Sequence, residues 1–235
     1  MENHKVVSRD EWIVARQQHL AKEKEFTRLR DELSRQRREL PWVKVDKEYV
    51  FDGPNGKETL AALFAGRSQL IVYHFMFDPS WTDGCKSCSF WADNFTNAIV
   101  HLNQRDVTMV AISKAPLAKL LTFQKRMGWT FKWLSSFSND FNYDYHVSST
   151  PEEIEKGEGY YNYTLRKPLG SESPGLSVFY KDADSNVFHT YSCYARGLDM
   201  LNGTYHHLDV VPKGRDEAGL SYPQEWVKHH DRYDS

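Results

Sequence analysis

Apolar positions at Ile13, Leu20, Phe26, Leu29, Leu33 and Leu40 recur at three-, four- and seven-residue steps, apart from the six between Leu20 and Phe26, within a strongly charged background, the spacing of a narrow stripe on one helix face. Ser8 and Glu11 have the spacing of a capping box, so the helix is predicted to begin at Arg9. Pro41 ends it, because proline has no N–H and disfavours helical geometry in the residue before it. Residues 1–41 are therefore read as a helical arm whose stripe packs on the core or on a second copy of the chain. Its arginines are interleaved with Glu and Asp, which weakens a nucleic-acid reading.

Beyond Pro41 the pattern changes to short apolar runs. Trp42 to Val45 and Tyr49 to Phe51 read as strands, Asp52 to Gly56 as a turn, and Glu58 to Phe64 as a short helix closed by Gly66. Leu70 to Phe77 is a continuous apolar run of buried-strand type, followed by a loop and a helical segment opened by Cys85 and Cys88. Val107 to Ile112, Pro116 to Met127 and Phe131 to Leu134 then read as strand, helix and strand. Strands alternating with helices of this length imply βαβ crossovers and a parallel core. Residues 135–173 form a long insertion rich in tyrosine and glycine, expected to be a lid or an ordered excursion. Leu176 to Tyr180 and Val187 to Tyr191 read as a hairpin, and Leu198 to Val210 as a last helix. The predicted organisation is an arm (1–41), an α/β domain (42–211) and a C-terminal surface tail (212–235).

Charge and composition narrow the class. Thirty basic against thirty-two acidic side chains give a net charge of −2, which offers no global attraction to nucleic acid or anionic membrane. No apolar stretch approaches the length of a membrane span, and the start lacks the apolar core of an export signal. Three cysteines cannot close a disulfide framework, so the expected compartment is the reducing cytoplasm and the cysteines are expected to be chemical.

The chemistry concentrates at Cys85 and Cys88. A thiol attacks as its thiolate, and unpaired N–H groups at the start of a helix favour that form. Cys85 lies there, with Lys86 adding a positive charge, while Cys88 lies one turn further in and can attack a mixed disulfide on Cys85. His74, in the preceding strand, is a candidate acceptor for the Cys88 proton. No phosphate-binding loop or dinucleotide fingerprint is present, so no cofactor is implied and reducing equivalents are expected from another thiol.

The segments YHFMF, GCKSCSFWADNF, SSFSNDFNYDY, PGLSVF, FHTYSCYARGLDMLNGTYHHLD and WVKHHDRYD resemble the DUF899 family of thioredoxin-like proteins, predicted dithiol–disulfide oxidoreductases. The resemblance spans nearly the whole chain. It implies a central mixed sheet flanked by helices, with Cys85 and Cys88 at the redox position and a protein or small-molecule disulfide as partner. It also implies a cis-proline against the thiols, for which Pro174 is the best match. Trp81, with Tyr143 or Tyr145, is expected to wall the pocket.

Two other readings compete. The stretch from Pro79 through Thr82 to Cys85 resembles the peroxiredoxin motif, with a Pro-to-Thr gap one residue shorter. Thr82 would then donate to the thiolate or peroxide, and Arg126 or Arg196 would hold the charge. Alternatively, Cys85, Cys88, His189 and Cys193 would hold a metal if folding joined the two pairs, since His189 and Cys193 share a face of an uninterrupted strand.

Overall fold

The computed structural model describes residues 4–234. The chain divides into two compact units at Pro41/Trp42. The first is dominated by helix α1 (Arg9–Arg38), which starts at the predicted capping box: the Ser8 hydroxyl accepts the Glu11 N–H, and the Glu11 carboxylate accepts the Ser8 N–H. No residue of α1 is buried. Arg35 pairs with Glu32 and Glu39, and Arg16 with Glu23.

The second unit is built on an eight-stranded sheet. Its strands in chain order are β1 (Val43–Lys44), β2 (Val50–Gly53), β3 (Gly56–Thr59), β4 (Gln69–His74), β5 (Val107–Ser113), β6 (Lys132–Ser135), β9 (Gly175–Lys181) and β10 (Val187–Tyr194). Across the sheet they run β1-β10-β9-β4-β5-β6-β2-β3. The pairs β4–β5 and β5–β6 are parallel, whereas β9 is antiparallel to β4 and to β10. Helices α2 (Lys86–Ala92) and α3 (Phe95–Asn103) connect β4 to β5, and α4 (Leu117–Arg126) connects β5 to β6. Both crossovers step the same way across the sheet, so their right-handedness puts these helices on one face. This is the mixed α/β sheet of a thioredoxin-like fold.

Period-two alternation divides the apolar run of β4 between two cores. Tyr73 and Phe75 join Phe90, Trp91, Phe95, Phe123 and Trp133 beneath the helices. Leu70 and Val72 join Phe51, Phe64, Ile112 and Phe179 on the other face. Ten or more aromatic rings pack edge-on within these layers, for example Phe75 with Trp129 and Phe90 with Tyr205.

Several elements differ from the sequence expectation. Residues 56–59 pair with β2 as a strand, because the turn at Asp52–Gly56 closes a hairpin and leaves only a 3-10 turn, Ala62–Phe64, of the expected helix. The insertion is ordered. It holds α5 (Phe141–Asp144), α6 (Pro151–Lys156, with a Thr150–Glu153 capping box) and a small hairpin of β7 (Gly159–Tyr161) and β8 (Thr164–Arg166). The last predicted helix is split into a 3-10 stretch, Ala195–Leu201, and α7 (Gly203–Leu208), because the Asn202 side chain caps the second by accepting the Tyr205 N–H. The segment after Pro212, expected on the surface, sends Val227 and His229 into the interior. No helix among the described residues is long and apolar enough to cross a membrane.

Candidate active site

Cys85 is the N-cap of α2, and its sulfur does what a serine or aspartate oxygen normally does there: it accepts the N–H of Cys88, at 3.5 Å. The cap is held from both sides. The Cys85 N–H donates to the Met76 carbonyl at 3.1 Å, and the Cys85 carbonyl accepts from the N–H and hydroxyl of Ser89, each at 2.9 Å. Met76 also donates its own N–H to the Cys88 sulfur at 3.4 Å. One peptide segment at the end of β4 therefore fixes both thiols.

The two sulfurs differ chemically. Cys85 has its pKa lowered to about 7, first by the hydrogen bond from the Cys88 thiol and then by the N–H groups of Cys88 and Ser87 and the Ser87 hydroxyl, all acting against burial. Burial pushes the Cys88 thiol up, reinforced by its bond to Cys85. Cys85 is half-buried and Cys88 fully buried, and no disulfide joins them. The arrangement is one nucleophile ionised near neutral pH beside a protonated thiol that donates to it.

Gly84 is required by close approach. A Cβ there would lie 2.8 Å from Phe75 and 3.0 Å from Phe123. Its carbonyl accepts from His229 Nε2 at 2.9 Å, while Arg126 donates to His229 Nδ1 at 3.2 Å. Those partners define the neutral Nε2–H tautomer. Arg126 also pairs with Asp83 and Asp231, and Arg232 with Asp83. The segment 221–234 thus forms a strap tied to the loop that precedes Cys85.

The structure sorts the residues expected at the site. Cys85 and Cys88 come together, and Pro174 lines a cavity that reaches Cys88. No cis peptide occurs among the described residues, so Pro174 is trans. Trans is the intrinsically favoured isomer; on either side of the bond, the Ser173 N–H donates to the Val147 carbonyl and the Pro174 carbonyl accepts from the Tyr161 hydroxyl at 2.7 Å.

His74 does not reach Cys88. Strand alternation turns it to the opposite face, where Nε2 bonds Ser177 Oγ at 2.8 Å beside Phe141 and Tyr145. Burial lowers its pKa to about 3, so it is neutral. Its neighbour Tyr73 faces the thiols instead, with its hydroxyl bonded to the Cys88 sulfur. Parity along β4 was the available signal: the face that carries Phe75 beneath the helices also carries Tyr73.

Thr82 is exposed, makes no hydrogen bond to Cys85, and lines a separate cleft with Arg126. Ser87 bonds Cys85 in its place. Lys86 points away to the Glu225 carbonyl at 2.9 Å and the Tyr222 ring. Trp81 packs on the apolar cluster but does not line the cavity. Tyr143 meets Lys114 and Tyr145 packs on the far face, so neither walls the site. Tyr73 and Tyr161, absent from the expected set, are kept protonated first by burial, and a charge on Cys88 would raise both further.

The metal reading fails on strand geometry. A register irregularity at Thr190 breaks the alternation of β10, so His189 faces Phe179 and Tyr145 while Cys193 lies in the other core beside Gly197. Among the described residues no three His, Cys, Asp or Glu side chains are grouped to hold a metal.

Fold and site together define a thioredoxin-like protein with a paired thiol at the start of the helix after its central strand. The chain belongs to the DUF899 family, described as bacterial protein of unknown function, whose model matches residues 1–233. No curated protein matches it. Among solved structures it is similar to peroxidoxin BcpB from Mycobacterium tuberculosis, with 14% identity, 70% of this chain and 95% of that chain covered, and a TM-score of 0.45. It is also similar to peroxiredoxin Q from Xanthomonas campestris, with 11% identity, coverages of 66% and 87%, and a TM-score of 0.45.

Proposed function

We propose that this protein is a dithiol–disulfide oxidoreductase acting through Cys85 and Cys88. The observation that carries the reading is the asymmetry of the pair: Cys85 is held at a pKa of about 7 by hydrogen bonds donated to its sulfur, one of them from the buried, protonated thiol of Cys88. The Cys85 thiolate attacks a substrate disulfide, forms a mixed disulfide and expels one thiolate. Cys88 then attacks the Cys85 sulfur, its proton passes to the second departing sulfur, and the protein is left with a Cys85–Cys88 disulfide. Two electrons move from protein to substrate, and a dithiol, or two molecules of a monothiol, returns them and is itself oxidised to a disulfide.

A thiol peroxidase would place a hydroxyl and an arginine at the reactive sulfur. The hydroxyl at Cys85 is that of Ser87, with Thr82 in a separate cleft, while Arg126 is engaged by two carboxylates and Arg196 pairs with Asp199; with both candidate arginines held by carboxylates, the disulfide-exchange reading is the better supported. The test is rapid mixing of reduced protein with a disulfide or with hydrogen peroxide. Oxidation by the disulfide, with release of two thiols, supports the proposal. Fast oxidation by peroxide alone overturns it in favour of the peroxidase.

A further inference from the structure

Five separate chain segments line a cavity of about 230 Å³ against α2, open to solvent on one side. Its buried residues are Tyr73, Cys88, Trp91 and Leu198, each at most 5% exposed, with Met76 and Pro174 adding apolar surface. Of the remaining polar groups, Ser87 lies beside the thiols, while Arg196, Asp199 and Gln224 are only partly buried or exposed, which puts them toward the mouth. Arg196 and Arg215 both bind the Asp199 carboxylate, so the mouth carries no single unpaired carboxylate to select a cation. An apolar floor under a balanced polar rim is the form of a small-molecule site.

Resting on the disulfide-exchange reading, we propose that this cavity is the subsite for the apolar substituent of a small, uncharged disulfide, and that such molecules are the substrate class. Size sets the limit. An apolar cavity of about 150 Å³ holds one benzene ring, so 230 Å³ takes a phenyl ring with about three further carbons. The reaction balances as R–S–S–R plus two protein thiols giving two R–SH plus the Cys85–Cys88 disulfide. In the assay dithiothreitol returns the two electrons.

Two measurements test the subsite independently of the chemistry. The first is binding of thioanisole, which has an aryl-sulfur group and no exchangeable bond, to the full-length Cys85→Ser protein, followed by Trp91-sensitive fluorescence and by ligand-observed NMR. Saturable binding that disappears in Cys85→Ser/Ala195→Trp, a substitution that fills the cavity from its rim, is expected. The second is kcat/KM for symmetrical dialkyl and diaryl disulfides against bis(2-hydroxyethyl) disulfide. The value should rise about fourfold per buried methylene, stop at the size of a substituted phenyl group, and lose this slope in Ala195→Trp. Equal turnover of all these disulfides, with no thioanisole binding, overturns the subsite and leaves the exchange reading standing. Thioanisole binding without turnover of any disulfide overturns the exchange reading and, with it, the substrate assignment.

Discussion

His229 donates from Nε2 to the carbonyl of Gly84 at 2.9 Å, joining residues 145 positions apart immediately before the reactive Cys85. Both groups are buried. Removing the imidazole leaves a buried carbonyl without its donor, which costs about 1–3 kcal/mol. His229→Ala should therefore lower the denaturation midpoint with an unchanged denaturant slope. Unchanged stability would mean that the strap does not hold the Cys85 loop.

Neighbouring residues on β4 have separable roles. Tyr73 bonds the Cys88 sulfur, whereas His74 faces the other core. A hydrogen bond to a developing thiolate contributes roughly 1.5–3 kcal/mol, so Tyr73→Phe should slow the second step, resolution by Cys88, about tenfold or more. Attack by Cys85 should be much less affected. His74→Phe should leave both steps unchanged in stopped-flow thiol release. Slow resolution in His74→Phe with normal resolution in Tyr73→Phe would reverse the assignment.

Glu172 provides a pH signature outside the thiol pair. It is 4% exposed, its Oε1 accepts from Ser148 Oγ at 2.7 Å, and burial raises its pKa from an ordinary 4.5 to about 8. A carboxyl that holds its proton more tightly when folded makes the native state bind more protons than the unfolded state between those values. Stability therefore falls as pH rises through the window from 4.5 to 8. Glu172→Gln keeps the acceptor and removes the titration. Its melting temperature should exceed the wild type's at pH 8, and the gap should close toward pH 5. A gap that widens toward pH 5 would contradict the sign.

How much of this was legible in the chain depended on the range of the contact involved. The Ser8–Glu11 box, the β4 run and the thiols opening a helix are local patterns, and each appears within a residue or two of its expected place. The pairing of residues 56–59 with β2 needed only the hairpin turn, but the helix-like composition of Glu58 to Phe64 hid it. The strap was hidden for a different reason. Its anchors, Gly84 with His229 and Arg126 with Asp231, are non-local, and the polar, charged composition of VKHHDRYD does not mark a buried segment. The Thr190 irregularity was equally invisible, and it alone separates His189 from Cys193. The choice between His74 and Tyr73 was within reach, because parity with Phe75 decides it.

The α1 stripe carries a prediction of assembly. Phe26, Leu29 and Leu33 are each at least half exposed on a helix with no buried residue, and we propose that a second copy of the chain covers them. Sedimentation should give twice the chain mass for the wild type and the single-chain mass for Leu29→Asp/Leu33→Asp, with the far-UV spectrum retained. A wild type that sediments as a monomer at tens of micromolar would remove the dimer.

The central claim is that Cys85 attacks as a thiolate formed near neutral pH and that Cys88 resolves. Single-turnover reaction of the reduced protein with a chromogenic disulfide, across pH 5 to 9, tests it most directly. Below its pKa the Cys85 thiol is protonated and slow, so the first-phase rate should rise through a midpoint near 7 and level off above it. Wild type should release two thiols per chain, and Cys88→Ser only one, leaving the reagent's second half bound to Cys85. A first-phase midpoint near 9, or release of two thiols by Cys88→Ser, would contradict the account.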